Sequence, residues 1–173
     1  VVEKLPIILH IGTRSNKNLL RVIEAMKGVK ATLRIIGLLD DEQKIALDAS
    51  DIIYSNTYNL KDEDLVNEYL SCTIVSFPSL FEGFGMPIIE AQAIGRPVVT
   101  SNMEPMKTVA GNAAIFVDPE NIKSIRDGFI KILSDSQLQQ KYIALGDANV
   151  KRYTSSKIAK YYMVLYELII GNR

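Results

Sequence analysis

The residues best suited to chemistry lie between Ser79 and Ala91. Glu82 and Glu90 are two carboxylates separated by the seven residues Gly83-Phe84-Gly85-Met86-Pro87-Ile88-Ile89. Ahead of them, Thr73-Ile74-Val75-Ser76-Phe77 is a short apolar run of the kind buried on both faces of a sheet. Pro78 stops that strand. Gly83 and Gly85 flank Phe84, so the backbone there can take conformations closed to other residues. Pro87 suits the first position of a helix, where its missing N–H costs nothing, and Ile88 to Ile94 continues at helical spacing. Strand, glycine loop and helix start, in that order, make an anion site. The amides of Gly85, Met86, Ile88 and Ile89 are expected to point out of the helix start, where the dipole adds partial positive charge. A phosphate needs no carboxylate, so Glu82 and Glu90 must face something else. Hydroxyl groups are their natural partners. A ligand with phosphates in the middle and hydroxyls at both ends is a nucleotide-sugar.

These residues need a scaffold. Leu5 to Ile11 reads as a buried strand, followed by the loop Gly12-Thr13-Arg14-Ser15-Asn16-Lys17, with Asn16 expected to cap a helix that Gly28 ends. Thr32 to Ile36 is a second strand. Asp40 to Ala49 is a helix whose apolar complement is Ile45 and Leu47. A strand is expected over Asp51–Tyr54, a polar loop over Ser55–Lys61, and a helix over Asp62–Leu70 capped by Asp62, with Leu65, Val66 and Tyr69 inward. Pro97–Thr100 and Ala113–Val117 are further strands, with Ser101 to Lys107 a loop. Asn121–Leu133, Ser136–Tyr153 and Ser155–Ile170 complete the helices. Strands alternating with helices imply an α/β domain with a central parallel sheet and helices on both faces. Ligands bind such sheets beyond the carboxyl ends of the strands. Both Gly12–Lys17 and Glu82–Glu90 sit at such ends.

The wording from Glu82 to Glu90 resembles the Glu-x7-Glu motif of retaining glycosyltransferases, specifically glycosyltransferase family 4 on the GT-B fold. Phe77-Pro78-Ser79, Glu82-Gly83-Phe84-Gly85-Met86-Pro87, Glu90-Ala91, Gly95-Arg96-Pro97-Val98-Val99 and Ala110-Gly111-Asn112-Ala113-Ala114 match too. The resemblance runs from about Ile7 to Tyr166 and covers only the C-terminal, donor-binding half of such an enzyme. It implies a Rossmann-like three-layer domain spanning residues 1–173, with the acceptor domain absent. It implies that Glu90 meets the ribose hydroxyls and that Glu82 meets the transferred sugar, close to the reacting carbon. It implies that Gly83 lies in the donor site and that Phe84, Gly85 and Met86 act there through backbone amides, although Phe84 also reads as plain packing. Lys17, five residues after Gly12, resembles the family's phosphate-binding cation. A lysine at a helix start opposes the dipole, so the position needs another reason. Arg14 stands one residue later than the family's arginine, and reads equally as a phosphate ligand or as surface. Asn56, Thr57 and Tyr58 lie where relatives contact the base. Thr108 departs from the glutamate many relatives carry there.

The implied reaction moves a hexose, with mannose the favoured sugar, from a GDP- or UDP-linked donor to an acceptor hydroxyl, with retention of configuration. The implied setting is polysaccharide, lipopolysaccharide or glycolipid synthesis. Glu82 and Lys17 are the expected catalytic residues, and no cofactor or obligatory metal is expected. A nucleotide-sugar binding module without transfer and a GT-B sugar-nucleotide epimerase are the alternatives. A nicotinamide-binding domain would need Gly-x-Gly-x-x-Gly after the first strand, where only Gly12 stands.

Composition agrees with one soluble domain. The 173 residues are 47% hydrophobic and 23% charged, with zero net charge, so bulk electrostatics does not favour nucleic acid. Cys72 alone allows neither an internal disulfide nor a cysteine-built metal site, and reads as buried filler. His10, the single histidine, reads as a satisfied core group. No apolar run approaches the ~20 residues of a membrane span. The expected location is the cytoplasm, at the inner membrane face if the whole protein makes peripheral contact. The start on Val1-Val2, without methionine or signal peptide, is expected to be a cut inside a longer protein.

Overall fold

The computed structural model describes residues 5–158 and Met163. Its strands are β1 (Ile7–Ile11), β2 (Thr32–Ile36), β3 (Ile53–Thr57), β4 (Ile74–Phe77), β5 (Val98–Ser101) and β6 (Ile115–Val117). They form one sheet in the order β3-β2-β1-β4-β5-β6, with every pair parallel. The helices are α1 (Leu19–Met26), α2 (Asp41–Asp48), α3 (Asp62–Ser71), α4 (Met86–Ala93), α5 (Met106–Ala110), α6 (Ile122–Leu133) and α7 (Ser136–Val150).

Alternation along the strands divides the interior in two. Ile8, Leu33, Ile35, Ile74 and Val99 face α1, α2 and α6, whose Leu19, Val22, Leu47, Ile125 and Phe129 are buried against them. Ile7, Leu9, Val75, Phe77 and Val98 face the opposite way, onto Tyr69 of α3, Ile88 and Ala91 of α4, and Met106 and Val109 of α5. Side chains on a strand alternate between faces, so a sheet buried on both sides is apolar at nearly every position. The result is the expected three-layer α/β domain.

A buried amide network anchors α7 to the layer that carries α4. Asn149 Nδ2 donates to Gln92 Oε1 and to Val109 O, both at 2.8 Å. Gln92 Nε2 in turn donates to the carbonyls of Ala110 and Ala113. Every donor in this pair has an acceptor, as burial requires.

Several expectations are corrected. Asn16 caps no helix: it lies in a short 3-10 turn, Ser15–Lys17, and α1 begins after Asn18, which is left-handed at φ 65°. The third strand runs five residues, from Ile53 through Thr57, instead of ending at Tyr54. It is an edge strand, exposed from Ile53 to Asn56, so no hydrophobic alternation marks its limits. Lys61, not Asp62, precedes α3 at the cap position, without a side-chain cap, and Val66 is exposed. Ile45 is also exposed, and α2 buries Gln43 and Leu47 instead. Gln43 is drawn inward by a capping box with Asp40 and by donating to Thr13 O at 2.6 Å. The expected loop after β5 closes into α5. The helix expected to reach Tyr153 ends at Val150, followed by a 3-10 turn. Residues 155–158 and Met163 are helical, and the rest of the expected final helix lies outside the described residues.

Cys72 is buried, and burial pushes its thiol up to about 12, so it packs as a neutral group. His10 is buried but only half satisfied. Its Nδ1 meets Ser76 Oγ at 3.3 Å, while Nε2 has no partner. Burial, with the charge of Lys17 next, pushes its pKa down to about 4.

Two outcomes follow. A Cβ on Gly128, in the middle of α6, would lie 2.6 Å from Val117 Cγ1 and 3.2 Å from Val99 Cγ1. Overpacking of stiff valines costs about 1–3 kcal/mol, against up to about 1 kcal/mol gained in helix propensity. Gly128→Ala is therefore expected to lower stability by about 1 kcal/mol in urea unfolding, whereas the same change in an open helix would raise it. Unfolding returns His10 to its ordinary 6.5, so the unfolded chain binds a proton that the folded chain refuses down to about pH 4. Stability present above pH 6.5 is lost as pH falls through that window, by about 3 kcal/mol in full for this group. The His10→Gln variant should lose less stability between pH 7 and pH 4.5 than the parent does.

Candidate functional site

The strand order reverses between β1 and β4, so the connections leaving them turn to opposite faces and leave a crevice at their carboxyl ends. Two loops meet there. Lys17, after β1, and Glu82, after β4, form an ion pair at 2.6 Å, with 19% and 12% of their side chains exposed. The lysine ammonium also lies 4.7 Å from the centre of the Phe77 ring. Gly12 makes room for this geometry. Its φ is +90°, and a Cβ there would come within 2.9 Å of Lys17 Cγ, so the lysine stem lies over a bare backbone.

Two asparagines stitch the loops together. Asn16 Nδ2 donates to Phe81 O at 3.0 Å and to Glu82 Oε1 at 3.2 Å, and Leu80 N donates to Asn16 O at 2.8 Å. Glu82 Oε1 thus accepts from both Asn16 and Lys17, which holds the carboxylate in one place. Asn18 is buried, and its Nδ2 donates to Pro78 O and Pro119 O at 3.0 and 2.7 Å. Sequence reasoning missed both roles. A tolerance for left-handed backbone in the Asn-Lys-Asn run was the available signal.

Beyond Glu82 the chain enters α4 through Gly85, which caps the helix at φ +102°. Pro87 occupies the second helical position rather than the first. The Ile88 amide, expected to be free, donates to Gly85 O at 3.0 Å. Among the described residues, the amides of Phe84, Gly85 and Met86 have no protein acceptor. The side chains of Phe84 and Met86 are exposed, Phe84 resting edge-on against Tyr153 at 5.7 Å. Gly83 is exposed with open space around it. Arg14 is exposed where the 3-10 turn begins, at the rim of the same loop.

Glu90, one turn into α4, is directed to α3. Its Oε2 accepts from Tyr69 Oη at 2.6 Å. The structure therefore pairs Lys17 with Glu82 and lays the lysine stem over Gly12, with Gly83–Met86 following directly in the chain, and gives Glu90 a partner of its own. Asn56 is occupied elsewhere: its Nδ2 bonds Ile35 O and Gly37 O at 3.1 and 2.8 Å. A cavity of about 590 Å³ opens at the far end of the sheet, by Met26, Ala31 and Ile53, away from these loops. No three His, Cys, Asp or Glu side chains among the described residues converge as a metal site. No helix among them is long and apolar enough to cross a membrane.

Residues 1–147 match the family model for glycosyl transferases group 1. The chain is 32% identical over 108 residues to O-antigen chain mannosyltransferase B of Escherichia coli, covering 62% of this chain and 28% of that protein. It is 33% identical over 97 residues to a phosphatidyl-myo-inositol mannosyltransferase of Mycobacterium tuberculosis, covering 53% of this chain and 26% of that one. The chain thus spans little more than a quarter of the length of these curated relatives. In fold it is similar to a glycosyltransferase from Rickettsia africae, with a TM-score of 0.81 at 22% identity, over 98% of this chain and 49% of that one. The α/β sheet, the glycine loop leading into α4 and the match along most of its length together establish that the chain belongs to the group 1 glycosyltransferases.

Proposed function

We propose that this chain is the donor-binding domain of a retaining glycosyltransferase that moves a hexose from a nucleotide-diphosphate sugar to an acceptor hydroxyl. Mannose is the favoured sugar, because the relatives at 32% and 33% identity are mannosyltransferases. Their names, an O-antigen chain and a phosphatidyl-myo-inositol mannosyltransferase, support a setting in polysaccharide or glycolipid synthesis. The acceptor half would come from outside these residues.

One observation carries the reading. The only cation bonded to Glu82 among the described residues, Lys17, stands across the crevice from it at 2.6 Å, beside a helix start with unpaired amides. An ammonium has three donors. Lys17 can keep one on Glu82 and turn the others to a diphosphate. As the sugar leaves, negative charge grows on the phosphates, and Lys17 with the amides of Phe84, Gly85 and Met86 would stabilise it without reorganising. These groups do a cation's work, so the reading calls for no obligatory metal. Glu82 is left to accept from the hydroxyls of the sugar, and Glu90 from those of the ribose. Arg14, at the rim, reaches the phosphates only if its side chain folds inward.

Calorimetry of the chain with GDP and UDP tests the binding. Lys17→Ala is expected to weaken affinity by about tenfold or more, the worth of a hydrogen bond from a charged group. No heat with either diphosphate, or with its sugar conjugates, overturns the reading. Glu82→Gln separates binding from chemistry. Removing a carboxylate beside Lys17 should leave diphosphate affinity unchanged or raise it. Turnover by the full-length enzyme should fall by about 100-fold, on the scale of losing one preorganised polar contact in a transition state. Equal losses in both measurements would assign Glu82 to binding alone.

A further inference from the structure

The partner of Glu90 has no place in the scheme above. Tyr69 is 1% exposed, on the inner face of α3, and reaches no solvent with its ring. Its hydroxyl donates to Glu90 Oε2 at 2.6 Å, in the range of short bonds from a neutral O–H to a carboxylate. Burial, followed by the bond to Glu90 and its charge, holds the phenol far above its ordinary range, so Tyr69 remains a donor.

The residue is itself held. Arg96, in the turn after α4, donates through Nε to Tyr69 O at 3.1 Å and through Nη2 to Leu70 O. A guanidinium on the last carbonyls of α3 satisfies groups that have no partner within the helix, and its charge is favoured by the negative end of the dipole there. Cys72 Sγ also points at Tyr69 O, at 3.2 Å. Backbone clamp and buried ring together leave the Tyr69 hydroxyl little freedom. A glutamate on a helix otherwise has three rotatable bonds to restrain when it grips a ligand.

We propose that Tyr69 is a positioning residue for ribose recognition: its hydroxyl occupies Glu90 Oε2 and aims Oε1 at the vicinal hydroxyls of the nucleotide. This rests on the reading of Glu90 as the ribose ligand. Tyr69 touches no substrate. It acts by removing rotamers of Glu90 before the ligand arrives, so its contribution exists only where the ligand has hydroxyls for Glu90 to hold.

The test is the affinity of this chain for GDP and UDP against their 2′,3′-dideoxy counterparts, in the parent and in Tyr69→Phe. The parent should prefer the ribose forms. Tyr69→Phe should weaken the ribose forms by roughly tenfold, leave the dideoxy forms unchanged, and so shrink the preference by the same factor. A packing role would weaken both forms alike. In a Glu90→Gln background, Tyr69→Phe should have a much smaller effect. An unchanged preference in Tyr69→Phe overturns the inference and leaves the proposed function standing. A parent that binds the diphosphates without regard to the ribose hydroxyls overturns the assignment of Glu90 and this inference with it, and a parent that binds neither overturns both proposals. If Tyr69→Phe does not fold, fluorine spectra of the parent labelled with 3-fluorotyrosine decide. The Tyr69 resonance should move with GDP and stay with dideoxy-GDP, and equal movement with both overturns the inference.

Discussion

Lys17 and Glu82 come from loops 65 residues apart, and they meet because the strand order reverses between β1 and β4. Everything else at the site follows from that meeting. The pair is too exposed to count as a buried charge and too sheltered to count as a free one. Surface pairs contribute little to stability, and buried ones lose much of their attraction to desolvation. On the proposed reading, a cation and an anion are held side by side, near a helix start with unpaired amides, for a ligand that needs both.

The surroundings keep the pair in place without relying on it. Asn16 and Asn18 bind loop carbonyls across the crevice with neutral amides, bonds that salt does not screen. Ser101 Oγ adds a bond to Ser79 O at 2.5 Å from the next strand over. Behind α4, the Gln92–Asn149 pair fastens the helix that presents the free amides. Polar side chains so used must find every partner or destabilise the fold, which makes them rigid supports. On the proposed reading, rigidity is what the chemistry needs, since dipoles already aimed cost nothing to align as charge develops.

How far the chain could be read varied with the physics of each segment. β1, β2 and β4 were legible because strands covered on both faces are mostly apolar, with only His10, Thr32, Arg34 and Ser76 breaking the run. The step from β4 through Gly85 into α4 was legible because glycine frees the backbone to take a positive φ and proline fixes it for a helix start. β3 was misplaced because an exposed edge strand has no pattern to read. α5 was missed because five residues behind a proline carry too little periodicity. The Ile88 amide was misjudged for a subtler reason: the first turn of α4 closes tightly on Gly85, and no residue type announces that.

By itself, the sequence determined that this is a parallel α/β domain with a glycine loop feeding a helix between two glutamates, because residue type controls backbone freedom and burial locally. Only the tertiary structure decided who faces whom. That Glu82 takes Lys17 and Asn16, while Glu90 takes Tyr69, depends on which strands became neighbours. Such neighbours are chosen by the burial of whole faces of the sheet, a global balance that no short stretch of residues encodes.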